Sequence, residues 1–212
     1  MSTILIADHH PITSEGIKSL LSQQNELNVI GNVTNGNDLS KSLRNHSPEV
    51  LVIEIDLPEI NGITALRTIK TEFPRIRILV FSCHPEEMYA LSAIKAGASG
   101  YLSKTASTES LYNAIQQVAR GGIYLNKNIT DKINSGATNG NGLIAKFKKL
   151  STREMEVLNL LSNGKRNKDI AEALDINEKT VSTYKTRLLK KLKVDNLADL
   201  INQSRLLQLK IT

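Results

Sequence analysis

Residues 50–55, Val-Leu-Val-Ile-Glu-Ile, decide the fold class of the first part of the chain. The run is almost continuously apolar and rich in β-branched residues, which is typical of a parallel strand that is buried on both faces. Similar runs occupy 4–7, 29–33, 78–81 and 100–102, and a segment with helical apolar spacing follows each of the five. The alternation predicts an α/β domain with a doubly wound, five-stranded parallel sheet, whose functional groups lie at the carboxyl ends of the strands.

The apolar pattern weakens after residue 125. A short helix is predicted at 128–133, and the following stretch Asn-Ser-Gly-Ala-Thr-Asn-Gly-Asn-Gly (134–142) is composed of residues that resist packing. We therefore expect a first domain at 1–125, a flexible linker at 126–147 and a second domain at 148–212.

The second domain is predicted to be all-α, with four helices. Ser151 and Glu154 have the spacing of a capping box, which opens a helix that runs to about Ser162. We expect Asn167 to cap a second helix through Leu174 and Asn177 to cap a third that ends near residue 193. A fourth helix should begin at Asp195 or Asn196.

The second and third of these helices are joined by about three residues, which is the connection of a helix-turn-helix. On the third helix Val181, Leu188 and Leu192 share one face, and polar side chains occupy the opposite face. Such a helix fits the major groove of double-stranded DNA. The residues predicted to contact base edges are Ser182, Thr183 and Thr186. The residues predicted to contact mainly phosphates are Lys179, Tyr184, Lys185, Arg187 and Lys190.

Charge supports a polyanionic partner for the second domain. The first 125 residues carry 10 Lys or Arg and 12 Asp or Glu, whereas residues 148–212 carry 14 and 8. No apolar run approaches the length of a membrane helix, so we expect a cytoplasmic protein without a membrane partner. The lone cysteine, Cys83, is expected to be a buried or half-buried bystander.

The second domain resembles the LuxR-type DNA-binding domain. The motifs that carry the resemblance are Leu-Ser-Thr-Arg-Glu-Met-Glu-Val-Leu (150–158), Asn-Lys-Asp-Ile-Ala (167–171) and Lys-Thr-Val-Ser-Thr-Tyr-Lys-Thr-Arg-Leu (179–188). The resemblance implies a four-helix domain that binds DNA as a homodimer.

The first domain resembles the receiver domain of two-component response regulators, which has a flavodoxin-like fold. The matching segments are Ile-Leu-Ile-Ala-Asp-His-His-Pro (4–11), Leu-Pro-Glu-Ile-Asn-Gly (57–62), Phe-Ser (81–82) and Gly-Tyr-Leu-Ser-Lys (100–104). With both matches, the whole chain resembles the NarL/FixJ family of transcription regulators. A histidine kinase and RNA polymerase are then candidate partners.

Carried over residue by residue, the resemblance implies a phosphorylation pocket. In the family two acids and an aspartate that ends the third strand hold Mg²⁺, and that aspartate accepts the phosphoryl group. Here Asp8 matches the first acid, and Ser82 and Lys104 match the groups that contact the phosphoryl group. Tyr101 matches the aromatic residue that reports phosphorylation, so Ser82 and Tyr101 are the expected switch residues.

Two positions depart from the pattern. His9 replaces the second acid, and the acceptor position, four residues before Pro58, is Glu54. Losing a carboxylate ligand should weaken Mg²⁺ binding, so Asp8 and Glu54 are doubtful metal ligands and no cofactor is expected to be required. The longer Glu54 side chain should be a poor acceptor, since phosphoryl transfer depends on accurate placement.

Three interpretations of this pocket stay open. Glu54 can mimic the phosphorylated state, the pocket can be an inert platform for dimerisation or for a ligand, or Asp56 can be the acceptor if the third strand continues far enough. An enzyme is the alternative function class, with a hydrolytic or metal site at Asp8, His9 and Glu54. It is disfavoured because no glycine-rich nucleotide loop follows the first strand. His10 and His46 show no partner spacing and are expected to be surface or loop residues.

Overall fold

The computed structural model describes residues 1–22, 26–60, 62–127, 129–130 and 150–209. The chain divides into two compact units, Met1–Thr130 and Asp131–Thr212. No helix within the described part of the chain is long and apolar enough to cross a membrane.

The first unit is a five-stranded parallel sheet with helices between the strands, as the sequence predicts. The strands are β1 (Ser2–Ala7), β2 (Leu27–Val33), β3 (Val50–Ile53), β4 (Arg77–Ser82) and β5 (Gly100–Ser103), and their order in the sheet is β2-β1-β3-β4-β5. The helices are α1 (Pro11–Ser22), α2 (Gly36–His46), α3 (Gly62–Glu72), α4 (Glu86–Lys95) and α5 (Thr108–Ala119). The doubly wound α/β prediction is confirmed.

Alternate residues of the central strands pack on opposite faces of the sheet. Ile4 and Ile6 of β1, with Val50 and Val52 of β3, share one core cluster with apolar residues of α1 and α5. The intervening Leu5 and the neighbouring strand residues are also buried, which places them on the other face of the sheet. Burial on both faces explains the continuous apolar runs.

The carboxyl end of β3 differs from its predicted end. The strand stops at Ile53, and Ile55 and Asp56 lie in a turn rather than in a strand that was expected to reach residue 55. The sheet pairing also ends there, since Ile53 is the last residue of β3 paired with β1 and β4. Glu54 is therefore the first residue after the strand.

The chain leaves the sheet beside β5. The Tyr124 N–H donates to the Ser99 carbonyl at 2.9 Å, and the Tyr101 N–H donates to the Tyr124 carbonyl at 3.1 Å. Ile129 and Thr130 are helical, which agrees with the helix predicted at 128–133 where the structure describes it. The rest of that helix and residues 131–147 of the predicted linker lie outside the described residues, so the linker stays a prediction.

The second unit contains four described helices, named α6 (Thr152–Ser162), α7 (Asn167–Ala173), α8 (Glu178–Leu192) and α9 (Leu197–Leu209). The capping box of Ser151 and Glu154 is present, and Asn177 caps α8 by accepting from the Thr180 N–H at 2.7 Å. Asn196 accepts from the Asp199 N–H at 2.9 Å at the start of α9. These local predictions are confirmed.

Asn167 does not cap its helix, contrary to the prediction. It is the first residue of α7, and the preceding residue, Arg166, stands at the cap position. The Arg166 N–H donates to the Asp169 carboxylate at 3.0 Å, so the helix end is closed from inside the first turn. The Asn167 side chain is thereby left to contact α8.

Candidate functional site

Four of the predicted pocket residues meet at the carboxyl edge of the sheet. Asp8, Glu54 and Lys104 directly follow β1, β3 and β5, and Ser82 ends β4. Because the strands are parallel and adjacent, their carboxyl ends converge. The Lys104 Nζ atom lies 2.6 Å from Asp8 Oδ2 and 3.0 Å from Glu54 Oε2. One half-buried ammonium group thus bridges two buried carboxylates.

The Glu54 carboxylate is surrounded by donors. The Ser82 hydroxyl donates to Oε1 at 2.6 Å, and the Cys83 N–H donates to Oε2 at 3.3 Å. The Asp56 N–H also donates to Oε1 at 3.3 Å. With Lys104, each oxygen has two partners, and Glu54 is only 2% exposed. The Glu54 side chain therefore occupies the hydroxyl and the ammonium group that the resemblance to receiver domains assigns to contacts with a phosphoryl group.

Electrostatics favour this arrangement. Burial alone lowers the pKa of Lys104, but the hydrogen bond to Asp8 and the charge of Glu54 outweigh burial and leave that pKa above its ordinary value. The ammonium group is consequently charged throughout the neutral range. Two carboxylates against one ammonium leave a net negative charge, which would repel an incoming phosphate donor.

The predicted switch residue, Tyr101, points inward. Its ring is fully buried, which raises the pKa of the phenol well above its ordinary value, and its hydroxyl donates to the His84 carbonyl at 3.0 Å. His84 N–H in turn donates to Ser82 Oγ at 3.2 Å. Glu54, Ser82, His84 and Tyr101 are thus joined by a continuous chain of hydrogen bonds.

A second contact joins the loops that follow β3 and β4. His84 Nε2 lies 2.7 Å from Asp56 Oδ2, and the imidazole stacks on the Tyr89 ring with centroids 4.7 Å apart. Burial raises the pKa of Asp56, but the hydrogen bond and charge of His84 dominate together and lower it below the ordinary value. The Asp56 carboxylate is therefore engaged with His84. Since β3 ends at Ile53, the condition for Asp56 as acceptor, a strand that continues to it, is not met.

His9 and His10 flank Asp8 differently. The His10 N–H and Nδ1 lie 2.8 and 2.9 Å from Asp8 Oδ1, and His10 Nδ1 is 3.2 Å from Lys104 Nζ. His10 is exposed in the loop after β1, as expected of a surface or loop residue, although its ring contacts both Asp8 and Lys104. His9 is half-buried, and its Nδ1 atom is buried without a hydrogen-bond partner among the described residues. His46 is exposed at the end of α2, as expected.

Cys83 is exposed, contrary to the prediction that it is buried or half-buried. The alternation of β4 turns the side chain after Ser82 away from the sheet, while the Cys83 N–H points at Glu54. Its backbone contributes to the pocket even though its thiol does not. Although the residue is exposed, its thiol is partly shielded from water, and this desolvation raises the pKa of the thiol and disfavours the reactive thiolate form.

Helix α8 presents the surface predicted for DNA. Val181, Leu188 and Leu192 are fully buried, so the apolar face is fixed against the other helices of the unit. The predicted contact residues that are exposed are Lys179, Ser182, Thr183, Thr186, Arg187 and Lys190, and the half-buried ones are Tyr184 and Lys185.

The half-buried side of α8 is tied to α7. Lys185 Nζ donates to Asn167 Oδ1 at 3.3 Å, and the Asn167 amide donates to Ser182 Oγ at 3.2 Å. Thr183 and Thr186 donate to carbonyls one turn earlier, at 3.0 and 3.1 Å. The two threonine side chains thus stay on the solvent face of the helix with their methyl groups and lone pairs available.

Sequence reasoning missed three contributors to the pocket, namely His10, His84 and the Cys83 N–H. Each lies within three residues of the carboxyl end of a strand. The expectation that functional groups gather at the carboxyl ends of parallel strands could therefore have pointed to them. Their partners were not predictable, because Lys104 and Asp56 are distant in sequence from the histidines that they contact.

Comparison with known proteins agrees with this geometry. Residues 4–116 match the response regulator receiver domain, and residues 148–203 match the bacterial regulatory proteins of the luxR family. The transcriptional regulatory protein DegU of Brevibacillus brevis is 31% identical over 216 residues, which cover 95% of this chain and 92% of DegU.

Solved structures of RcsB are also similar. One is RcsB from Salmonella enterica serovar Typhimurium bound to promoter rprA in the presence of phosphomimetic BeF3⁻. Its TM-score is 0.80 at 28% sequence identity, and the match covers 96% of this chain and 98% of the RcsB chain. A structure of two RcsB dimers bound to two parallel DNAs has a TM-score of 0.76 at 26% identity, with 95% and 97% covered.

The fold and the carboxyl-edge pocket define the class of this protein as a response regulator. The chain belongs to the LuxR/NarL family of DNA-binding transcriptional response regulators, in which a receiver domain is followed by a LuxR-type helix-turn-helix domain. That family consists of DNA-binding regulators rather than enzymes, which sets aside the enzyme alternative.

Proposed function

We propose that this protein is a dimeric transcription factor whose receiver is held in the activated arrangement by Glu54, without phosphorylation. The observation that carries the proposal is the Glu54 carboxylate, which accepts from Ser82 at 2.6 Å and pairs with Lys104 at 3.0 Å. These are the groups that the family directs to a phosphoryl oxygen. The inward Tyr101, bonded to the His84 carbonyl, fits the same state.

The proposal assigns DNA binding to the exposed side of α8. Lys179, Arg187 and Lys190 offer charge to phosphates, and Thr183 and Thr186 lie between them for contacts to base edges. The DNA complexes and dimers of RcsB, which is similar over nearly the whole chain, support double-stranded DNA as the ligand and a homodimer as the binding form.

The pocket does not fit Mg²⁺. The ammonium group of Lys104 contacts both Asp8 and Glu54, and the second acidic ligand is replaced by His9. Mg²⁺ requires hard oxygen ligands in near-octahedral geometry, and here both available carboxylates already contact the Lys104 ammonium group. The proposed mode of action therefore needs neither Mg²⁺ nor a histidine kinase. If the regulator activates transcription, RNA polymerase is its expected protein partner.

Rebuilding the conventional pocket tests the proposal. The native chain and a double variant, Glu54→Asp with His9→Asp, are treated with acetyl phosphate and Mg²⁺, and intact mass and DNA affinity are measured before and after treatment. A DNA fragment selected by the native chain from a randomised library serves as ligand.

We expect no added phosphate on the native chain and no change in its affinity. The double variant should bind DNA weakly at first, gain one phosphate and then bind about 5 to 150 times more tightly, the range of ordinary allosteric coupling. A native chain that is phosphorylated and then binds more tightly would refute the proposal. Equal DNA affinity of both untreated proteins would instead indicate an inert platform.

A further inference from the structure

Asp8, His9 and His10 form a compact donor set at the end of β1. One ligand atom from each of the three side chains lies within 4.8 Å of the others. Asp8 Oδ1 and His10 Nδ1 are already 2.9 Å apart. Ligands at the usual zinc distances of about 2.0–2.2 Å in a tetrahedron are roughly 3.3 Å apart, so a small rearrangement would bring this set around one ion.

His9 supplies an independent indication of a missing partner. Its Nδ1 atom is buried and has no hydrogen-bond partner among the described residues. Buried polar atoms are nearly always satisfied, and an exception in a well-packed site calls for an ion or another group that completes it. Only two other buried side-chain polar atoms of the described chain share this condition, on Ser14 and Glu86, and neither belongs to the donor set.

The chemistry of the set selects the class of metal. Two imidazoles and one carboxylate suit Zn²⁺ and the late divalent transition metals, whereas Mg²⁺ prefers oxygen alone. The two rings lie close together, with their centroids 3.8 Å apart. Neutral imidazole is the form that binds metal.

The two oxygens of Asp8 allow the metal and Lys104 to coexist. Oδ2 pairs with Lys104 at 2.6 Å, while Oδ1 faces His10. A metal on Oδ1 and His10 would displace Lys104 from His10 Nδ1, which lies 3.2 Å from Lys104 Nζ, but would leave the contact between Lys104 and Glu54 in place. His10 is 46% exposed, so the set is open to ions from solvent.

From these observations we propose that Asp8, His9 and His10 form a binding site for Zn²⁺ or a similar transition metal. The site gives the receiver an inorganic ligand where the family places a magnesium-dependent phosphorylation site. The proposal does not depend on whether Glu54 mimics a phosphoryl group.

The test is a competition titration of the untagged full-length chain with Zn²⁺ against a chromophoric zinc indicator, repeated with Mg²⁺ at millimolar concentration. The variants are His9→Gln and His10→Gln, and the matched controls are His46→Gln and Cys83→Ser, which remove an exposed histidine and the exposed thiol outside the set. Circular dichroism of each metal-free variant checks folding, and His10→Gln, at a half-exposed position, is the variant least able to disturb the core.

We expect one Zn²⁺ per chain, bound at least about tenfold more weakly by His9→Gln and by His10→Gln and unchanged in both controls. Mg²⁺ should not displace it. With Cu²⁺ instead, electron paramagnetic resonance should show coupling to two nitrogen ligands in the native chain and to fewer in each variant. The proposal is overturned if no stoichiometric binding occurs, if both variants bind like the native chain, or if His46→Gln or Cys83→Ser abolishes binding.

Discussion

Replacing Lys104 with methionine should destabilise the receiver unit strongly at neutral pH. The substitution keeps the length of the side chain but removes the ammonium group that lies 2.6 Å from Asp8 and 3.0 Å from Glu54. Those carboxylates are 3% and 2% exposed, so water cannot replace the lost cation.

The magnitude follows from the cost of leaving a buried charge without its partner, which is about 3–5 kcal/mol. Glu54 keeps the Ser82 hydroxyl and the Cys83 N–H, and Asp8 keeps His10, so we expect the lower end, about 3 kcal/mol. That energy corresponds to a change of roughly 160-fold in the folding equilibrium constant.

The loss should also depend on pH in one direction. Lys104, whose pKa is raised by Asp8 and Glu54 despite burial, stays charged from pH 5 to 8, so its contribution to the native chain is constant over that range. In Lys104→Met, protonation of one of the two carboxylates would remove its unpaired buried charge. The variant should therefore regain stability relative to the native chain as the pH falls towards 5.

Equilibrium unfolding in urea, followed by near-ultraviolet circular dichroism of tyrosine, measures this effect. Four of the five tyrosines belong to the receiver, so the signal reports mainly on that unit. Lys18→Met, which removes a solvent-exposed pair with Glu15, is the control and should cost less than about 1 kcal/mol. The reasoning would be refuted if the free energy of unfolding of Lys104→Met at pH 7.5 lay within about 1 kcal/mol of the native value, which is the size of a surface ion pair. It would also be refuted if the variant lost further stability in acid.

Three further results are expected from the second unit. Glu154→Gln should lower its free energy of unfolding by about 1–3 kcal/mol at pH 7, because Glu154 accepts from Ser151 N–H at 2.6 Å and from Lys191 at 2.7 Å. Although burial raises the pKa of Glu154, these contacts lower it overall, so the difference seen in urea titrations should fade as the pH falls through that lowered pKa. Lys179→Ala or Arg187→Ala should weaken binding to all DNA sequences and reduce the slope of log affinity against log salt by about 1, measured by fluorescence anisotropy. Thr183→Ala or Thr186→Ala should alter the sequence recovered from a randomised library, with a discrimination change of about 1–3 kcal/mol at one base position.

A matched control for the DNA experiments is Lys95→Ala. This lysine is exposed in the last turn of α4, in the receiver unit, and is outside the predicted contact surface. Its loss should leave affinity and sequence preference unchanged. If the four substitutions in α8 behaved like Lys95→Ala, the reading helix would have been wrongly assigned.

The sheet and most helix ends were predictable because their signals are local. Buried parallel strands require continuous apolar runs such as 50–53, and Ser151 with Glu154 forms its hydrogen bonds within one helical turn. Asn167 was misassigned for the same local reason. Asn167 is a residue type that often caps a helix, but the Asp169 carboxylate closes the start of α7 from within its first turn by accepting from the Arg166 N–H. The sequence alone does not show which of the two side chains closes the helix.

The membership of the pocket was partly predictable. Asp8, Glu54, Ser82 and Lys104 follow from their positions at the carboxyl ends of adjacent strands. Their pairing did not follow, since Lys104 has two carboxylates within reach and only the geometry shows that it contacts both.

The histidines illustrate what sequence spacing leaves out. His10 meets Lys104 and His84 meets Asp56 through chain turns after two different strands, so no short-range pattern marks either pair. The exposure of Cys83 likewise depends on the direction in which the chain leaves β4. Residues that act across loops become visible only when the sheet has placed those loops side by side.

DNA affinity of Glu54→Gln beside the native chain, measured by fluorescence anisotropy without any phosphate donor, tests the central claim most directly. Glutamine keeps the size of the side chain and a carbonyl that can accept from Ser82, but it removes the charge that pairs with Lys104. We predict that the native chain binds its selected DNA tightly and that Glu54→Gln binds about 5 to 150 times more weakly, with its second unit still folded. Equal affinity of the two proteins would contradict the claim that Glu54 holds the receiver in its active state.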